Sequence, residues 1–275
     1  MKPIWILDSY LLERSNPESG PEFAAALEEA GCDVSVHVYD PRSRRLDRDL
    51  PELADRPALA YGSFPFVKHV LGGSARGGPP IRPGSYARLE NLSFHAFAAH
   101  IGDLLLNDDF HILPFGELLR RPPPLQNVFI RPDRVTKSFT GFCITPDRHS
   151  FELSCLEKAQ GVGRDELVIV ASAKSISLEC RYVIADGRVV AGSTYGWDGF
   201  VPSAMTDPRC DAVAGEVARR EWQADTVYTC DVALWEGTAR VVELNSFSCA
   251  GLYACDTKAV AEAVTACIKD EFGLG

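Results

Sequence analysis

The sequence predicts an α/β unit at the N-terminal end followed by an antiparallel α+β unit. Three observations lead there. A strand–helix–strand pattern opens the chain, and such a crossover joins parallel strands. Arg121-Pro-Pro-Pro124 reads as a stiff connector. Beyond it the chain turns β-rich, with two turn signals of the kind that join antiparallel strands, Asp186-Gly187 and Glu236-Gly237-Thr238.

Ile4–Asp8 is a short apolar run consistent with a buried strand. Pro21–Ala30 follows as a helix, with Pro early and Gly31 just past its end. Val34–Tyr39 alternates like a strand, and Ala58–Tyr61 adds another. Gly72–Pro80 is a glycine-rich loop without the Gly-Lys-Ser/Thr ending of a phosphate loop. Ser85–Leu106 is the longest helical stretch, with Leu89, Leu92, Phe97, Ile101 and Leu105 on its apolar face. His95 and His100 on it read as surface or core histidines. Past the connector, strands are predicted over Val128–Arg131, Ser138–Thr145, Leu167–Ala171, Leu178–Ala185 and Arg188–Thr194. A long loop holding Tyr195, Trp197 and Asp198 precedes a helix over Asp211–Trp222. A hairpin from Val227 to Ser246 and an amphipathic helix over Thr257–Phe272 close the chain.

Length and composition narrow the function classes. With 275 residues, 46% hydrophobic and 24% charged, the chain is an ordinary globular protein of one large domain or two to three small ones. A net charge of −10 argues against a basic nucleic-acid-binding surface. The nine cysteines are scattered with no Cys-x-x-Cys, so neither zinc spacing nor a disulfide framework is expected, and reduced thiols point to the cytoplasm. No stretch reaches the roughly 20 apolar residues that span a membrane, and no signal peptide is expected.

Three groups of residues bear on chemistry. In the last hairpin, a three-residue loop at Glu236-Gly237-Thr238 pairs Trp235 with Ala239 and sets Asp231 opposite Glu243, with Asn245 on the same face. Facing carboxylates repel. A hard cation such as Mg²⁺ relieves that repulsion, and the alternative is a solvated acidic face. On this reading, Glu243→Gln could raise the stability of the metal-free protein. A two-residue loop at Glu236-Gly237 sends the two carboxylates to opposite faces. In the second group, Arg131 and Lys137 bracket a polar loop between two strands. They suit an anion, a phosphate above all, or a solvated basic turn. In the third, Glu179 and Arg181 lie two apart on one strand and share a face, as a rim ion pair or as part of a site.

The order of these stretches resembles the ATP-grasp superfamily, in particular its clade with two characteristic arginines and one lysine. The matching pieces are Arg131-Pro-Asp through Lys137-Ser-Phe-Thr-Gly, Leu167-Val-Ile-Val-Ala-Ser, Glu179-Cys-Arg-Tyr-Val with Asp186-Gly-Arg, and Asp231 with Val241-Val-Glu-Leu-Asn-Ser-Phe. They cover residues 126–258. The resemblance implies an ATP-grasp fold, two α+β lobes gripping a nucleotide, over residues 122–275. A βαβ-containing pre-grasp domain over 1–121 precedes it. It implies an ATP-dependent, ADP-forming carboxylate–amine ligase acting on an amino acid, peptide or protein tail. A kinase acting on a hydroxyl and a non-catalytic nucleotide-binding module are the alternatives. It implies ATP and Mg²⁺, with Asp231, Glu243 and Asn245 holding the metal. Arg131 and Lys137 would meet the phosphates, and Arg181 the transferred phosphoryl or acyl phosphate. Val168, Val170, Ala171, Ser172 and Lys174 would form the hinge against adenine, and Glu179 joins the nucleotide-binding set. Loops 72–80 and 192–209 are candidate lids. A homodimer, and neither a nucleic acid nor a membrane partner, completes the expectation.

Overall fold

The computed structural model of the chain describes all residues except 16–19, 54–55, 75–80, 122–125, 196–200 and 275. Its described strands are β1 (Ile4–Asp8), β2 (Asp33–His37), β3 (Tyr39–Asp40), β4 (Arg45–Leu46), β5 (Ala58–Tyr61), β6 (Pro83–Gly84), β7 (His111–Pro114), β8 (Val128–Pro132), β9 (Phe142–Ile144), β10 (Leu167–Ser172), β11 (Ile176–Ala185), β12 (Arg188–Thr194), β13 (Val227–Trp235) and β14 (Thr238–Ser246). Its helices are α1 (Gly20–Glu29), α2 (Phe64–Ser74), α3 (Phe94–Ile101), α4 (Phe115–Arg120), α5 (His149–Lys158), α6 (Pro208–Arg219) and α7 (Thr257–Glu271).

Three sheets carry the fold. The first runs β2-β1-β5-β6 and is parallel throughout, as the opening strand–helix–strand pattern requires. The second, β7-β10-β8-β9, and the third, β12-β11-β13-β14, are antiparallel. β7 precedes Arg121, so the second sheet draws a strand from before the proline connector.

Side-chain alternation decides what each face of the third sheet meets. Cys180, Tyr182 and Ile184 on β11 point into a core shared with Phe94 and Phe97 of α3 and Cys210, Ala214 and Val217 of α6. Val183 and Ala185 point the other way, into a core with Trp5, Phe23, Tyr61 and the buried side of α7. The first sheet is thereby fastened to one end of the third sheet's opposite face. The other end of that face borders a cavity beneath the second sheet, and the candidate site residues lie there.

The last hairpin reaches its register by a different route from the expected one. Trp235 pairs with Thr238, not Ala239, so the loop is the two-residue turn Glu236-Gly237. Both turn residues have positive φ, 49° and 78°, the mirror-image turn that matches strand twist. A bulge between Asp231 and Val232 then inserts Val242 as an extra residue, and Asp231 faces Glu243 after all. The predicted helix over Ser85–Leu106 is shorter than its apolar pattern. α3 starts only at Phe94, where the backbone oxygen of Asp133 accepts from Phe94 N. The strand expected over Ser138–Thr145 shrinks to β9, and the helix over Asp211–Trp222 begins earlier, capped by Asp207. Gly72, at the start of the expected loop, lies in α2; residues 75–80 fall outside the described residues.

Glu236 carries a Cβ in left-handed backbone, and Asn tolerates that conformation better. Glu236→Asn should stabilise the protein by about 0.5–1 kcal/mol, read as a higher urea midpoint at unchanged m-value.

Candidate functional site

The site is a row of charges laid across neighbouring strands. Arg181 on β11 is in register with Asp231 on β13, and Asp231 with Glu243 on β14. Arg181 donates from Nε and Nη2 to the two oxygens of Asp231, at 2.8 and 2.7 Å. The fork-on-fork geometry is the strong form of this pair. Its Nη1 donates to the Gly251 carbonyl at 3.1 Å, and Tyr195 and Tyr253 cover the guanidinium, their ring centroids 5.3 and 5.0 Å away. Tyr253 holds a positive φ of 52° to do so.

The second sheet supplies the cations above Glu243. Arg131, at the end of β8, reaches Glu243 Oε2 from Nη1 at 2.9 Å. Lys137 reaches Oε1 from Nζ at 2.8 Å. Burial opposes ionisation of Glu243, but Arg131 and Lys137 outweigh it and hold the carboxyl well below the usual carboxylate range. Lys137 sits at φ 44°, where its N–H donates to the Arg134 carbonyl. A non-glycine residue in that conformation is held by its surroundings, a feature that clusters at functional sites. Gly141 closes the loop against the cleft; a Cβ there would lie 2.8 Å from the Phe129 ring and 3.1 Å from Arg131 Cβ.

The Asn245 side chain ties the two carboxylates together. Its Nδ2 donates to Asp231 Oδ2 at 3.2 Å and to Glu243 Oε1 at 2.9 Å. Glu179 lines the same cavity, and its carboxylate makes no hydrogen bond or ion pair with the described residues. Burial first, then the charges of Asp231 and Glu243, pushes its carboxyl up to about 8.

A cavity of about 370 Å³ opens between the second and third sheets, lined by Arg131, Lys137, Lys174, Glu179, Tyr195 and Glu243 with the apolar Phe129, Phe142 and Ile176. At one end Lys174 donates to Asp109 Oδ1 at 2.6 Å and to Ser172 Oγ at 3.0 Å. Burial disfavours the charge on Asp109, but Lys174 and Ser172 more than offset it and bring the carboxyl to about 2.

The structure thus brings Arg131, Lys137, Glu179, Arg181, Asp231, Glu243 and Asn245 to one place, with Lys174 at its edge. The hinge residues fare differently. Val168 and Val170 lie in a strand paired on both sides, and their side chains pack in the core with Phe115 of α4 and Leu153 of α5. No backbone group there is left to offer a nucleobase. Ala171 and Ser172 pair on one side only, with β8, and Ser172 N donates to Asp109. Tyr195 lies on Arg181; Trp197 and Asp198 fall outside the described residues.

Several contributors escaped the sequence reading. Asp133 accepts from His95 N at 2.9 Å and pairs with His95 Nδ1 at 2.7 Å, which locks the end of β8 onto α3. Phe94 then lies under Arg131, its ring centroid 5.6 Å from the guanidinium carbon. Asp109, Gly251 and Tyr253 also act from elements remote in sequence.

The donor set fits phosphate and a hard cation. Arg131 Nη2 is buried without a partner among the described residues, a charged donor awaiting an acceptor. Asp231, Glu243 and Asn245 offer oxygens suited to Mg²⁺. No group of three or more His, Cys, Asp and Glu side chains that could hold a metal occurs among the described residues. Two carboxylates leave most of an octahedron to other oxygens, as in sites where phosphates complete the shell.

Residues 94–264 match the model of the ATP-grasp domain, R2K clade family 3. The chain belongs to this ATP-grasp family. Its fold is the ATP-grasp fold, a parallel N-terminal sheet with two antiparallel lobes. Among solved structures, D-cycloserine synthetase DcsG aligns with TM-score 0.63 and 14% identity over 97% of this chain and 100% of its own. A RimK domain ATP-grasp protein from Sphaerobacter thermophilus DSM 20745 aligns with TM-score 0.60 and 14% identity over 100% of both chains. D-alanine–D-alanine ligase from Bacillus anthracis, complexed with ATP, aligns with TM-score 0.56 and 11% identity over 100% of both chains. No curated protein matches the sequence. No described helix is long and apolar enough to cross a membrane.

The ion pairs of this ATP-grasp site set two stability predictions. Asp231 and Arg181 are both buried, so Asp231→Ala strands a buried guanidinium and should cost about 3–5 kcal/mol in chemical denaturation. Glu243→Gln likewise leaves Arg131 and Lys137 uncompensated, which reverses the expectation that it raises metal-free stability. Glu179 has the opposite sign. Its folded value of about 8 lies above the ordinary 4.5, so the native state holds a proton that the unfolded chain gives up. The Glu179 contribution to metal-free stability therefore falls as pH rises from about 4.5 to 8. With a chelator present, Glu179→Gln should raise the melting temperature at pH 8 by more than at pH 5.

Proposed function

We propose that the chain is an ATP-dependent, ADP-forming carboxylate–amine ligase acting on an amino acid, peptide or protein tail. The carrying observation is the buried row of Arg181, Asp231, Glu243 and Arg131 beside the cavity, with one guanidinium nitrogen of Arg131 buried without a partner among the described residues. Solved relatives lend the acceptor class. One is named D-alanine–D-alanine ligase, and another, the ATP-grasp ligase PsnB, is described in complex with a precursor peptide and AMPPNP.

In this reading a substrate carboxylate oxygen attacks the γ-phosphorus of ATP and ADP leaves. The amine nitrogen then attacks the acyl carbon, phosphate departs, and the nitrogen gives up a proton to form the amide. Such chemistry asks a protein for positioning and charge neutralisation, not for a nucleophile of its own. Arg131, with its unused Nη2, and Lys137 would bind the phosphates. Asp231, Glu243 and Asn245 would hold Mg²⁺, which supplies charge neutralisation on the phosphate oxygens. Arg181 fixes Asp231 and borders the reacting end beneath Tyr195 and Tyr253. Lys174, with Asp109 and Ser172, would frame the nucleobase. The nine cysteines are free thiols, in keeping with a reducing cytoplasm.

Thermal-shift titration with ADP, with and without Mg²⁺, tests the site. At about 100 times the dissociation constant the ligand should add roughly 2.7 kcal/mol. That increment should need Mg²⁺ and should vanish in Glu243→Gln, each variant being read against its own metal-free baseline. ADP release that requires both an acid and an amine, with an amide product in the mass spectrum, supports ligation. A phosphorylated hydroxyl without amide selects a kinase, and ATP turnover with no joined product sinks the ligase reading.

A further inference from the structure

Asn107 brings an unused amide to the cavity. The residue lines the space between the two lobes and is only 5% exposed. Its side chain makes no hydrogen bond with the described residues, and neither its oxygen nor its nitrogen is walled off inside the protein. For a residue this buried, the cavity it lines is the opening available to both ends. An amide carries an acceptor and two donors, and a largely buried one with none of them used needs a reason.

The main chain fixes where this amide stands. Leu106 N donates to the Val241 carbonyl at 2.8 Å and Leu105 bridges to Val241, so the segment is pinned to the outer edge of β14. Two residues beyond Asn107, Asp109 accepts from Ser172 N at 3.0 Å and from Lys174 Nζ at 2.6 Å. Asn107 is thereby held between the strand that carries Glu243 and the Lys174 end of the cavity. The same cavity takes apolar walls from Leu106, Phe129, Ile176 and Val242. Apolar walls with a few fixed polar groups suit a flat heterocycle, which buries its faces and pairs along its edge.

An Asn amide has a particular match among nucleobases. Adenine carries a donor and an acceptor side by side, the 6-amino group and N7, and one amide meets both: its oxygen accepts from the amino group and its nitrogen donates to N7. Guanine and hypoxanthine carry two acceptors on that edge, O6 and N7, so the amide oxygen faces an acceptor whichever way the amide turns.

We propose that Asn107 reads the nucleobase: its amide pairs with the amino group and N7 of adenine, and it sets the preference for adenine over keto purines. This inference rests on the nucleotide reading made under the proposed function. It adds to that reading a residue that chooses the base, whereas Lys174 with Asp109 and Ser172 only frames it.

The test compares ADP, inosine diphosphate and 7-deaza-ADP, which has a CH in place of N7, by thermal shift and calorimetry with Mg²⁺ on wild type and Asn107→Leu. Leucine keeps the size of the side chain and removes its polar atoms. Wild type should bind inosine diphosphate about tenfold more weakly than ADP, the effect of one lost bidentate pair. It should bind 7-deaza-ADP about fivefold more weakly, the effect of one lost hydrogen bond. In Asn107→Leu the three affinities should fall within about twofold of one another, with inosine diphosphate bound as in wild type. Equal affinities in wild type, with normal Mg²⁺-dependent ADP binding, overturn this inference alone, and that arm needs no variant. So does a wild-type preference that persists in Asn107→Leu, or a variant that loses ADP and inosine diphosphate in parallel. No response of wild type to ADP overturns the nucleotide reading and this inference together.

Discussion

Everything at this site follows from one constraint: two carboxylates are forced to face each other across a strand pair. Asp231 and Glu243 stand opposite because the main-chain register puts them there, and neither strand can slip without moving its apolar residues out of two cores. The protein compensates with cations from two directions. Arg181 comes from within the same sheet and takes both oxygens of Asp231. Arg131 and Lys137 come from the other lobe and take the two oxygens of Glu243. The ion pairs on Glu243 therefore bridge the lobes across the cleft.

The bridging works because the second lobe is aimed. Asp133 follows Arg131 after a single proline, and it is buried, held by the backbone and ring of His95 and by its own N–H to Leu167. The end of β8 is thus fixed to the start of α3 and to β10. Phe94, the first residue of α3, supports the Arg131 guanidinium from below. A long cationic side chain loses much rotamer freedom when it is held in one place. Here packing and hydrogen bonds impose that order before any ligand arrives, which is the structural form of preorganisation.

The sequence carried the identities of the charged residues but not all of their partners. Asp231, Glu243 and Asn245 were legible because strand period and turn chemistry are local signals. Even so, the facing pair arose from two offsetting irregularities. A two-residue turn alone separates the carboxylates, and the bulge at Val242 returns them; a bulge between Val241 and Glu243 has no compositional mark, since all of its residues favour strands. The Arg181–Asp231 pair was hidden for another reason. Glu179 sits two residues from Arg181 and looked like its partner, yet the cross-strand neighbour Asp231 claims it. The late start of α3 is set by Asp133, 38 residues away from His95, and no helical pattern contains that information. The hinge over Val168–Lys174 came from the family resemblance alone; the Val168 and Val170 side chains fill the core under α4 and α5.

On the proposed function, in which Glu243 and Asp231 would hold Mg²⁺ and Arg131 and Lys137 would meet phosphate, the same ion pairs impose a condition on binding. A metal arriving alone must displace Arg131 and Lys137 from Glu243, and those cations then face an empty cavity. A nucleotide arriving alone can draw Arg131 and Lys137 to its phosphates, but it leaves Glu243 buried beside Asp231 with only the Asn245 amide between them. Either step uncovers a buried charge, and uncompensated buried charge is among the most costly defects a protein can carry. When both arrive, each charge finds a new partner: cations on phosphate, carboxylates on metal. Unlike a rigid anion hole, which binds phosphate whether or not metal is present, this row should favour joint over separate occupancy. The coupling is reciprocal, so each ligand tightens the other by the same factor.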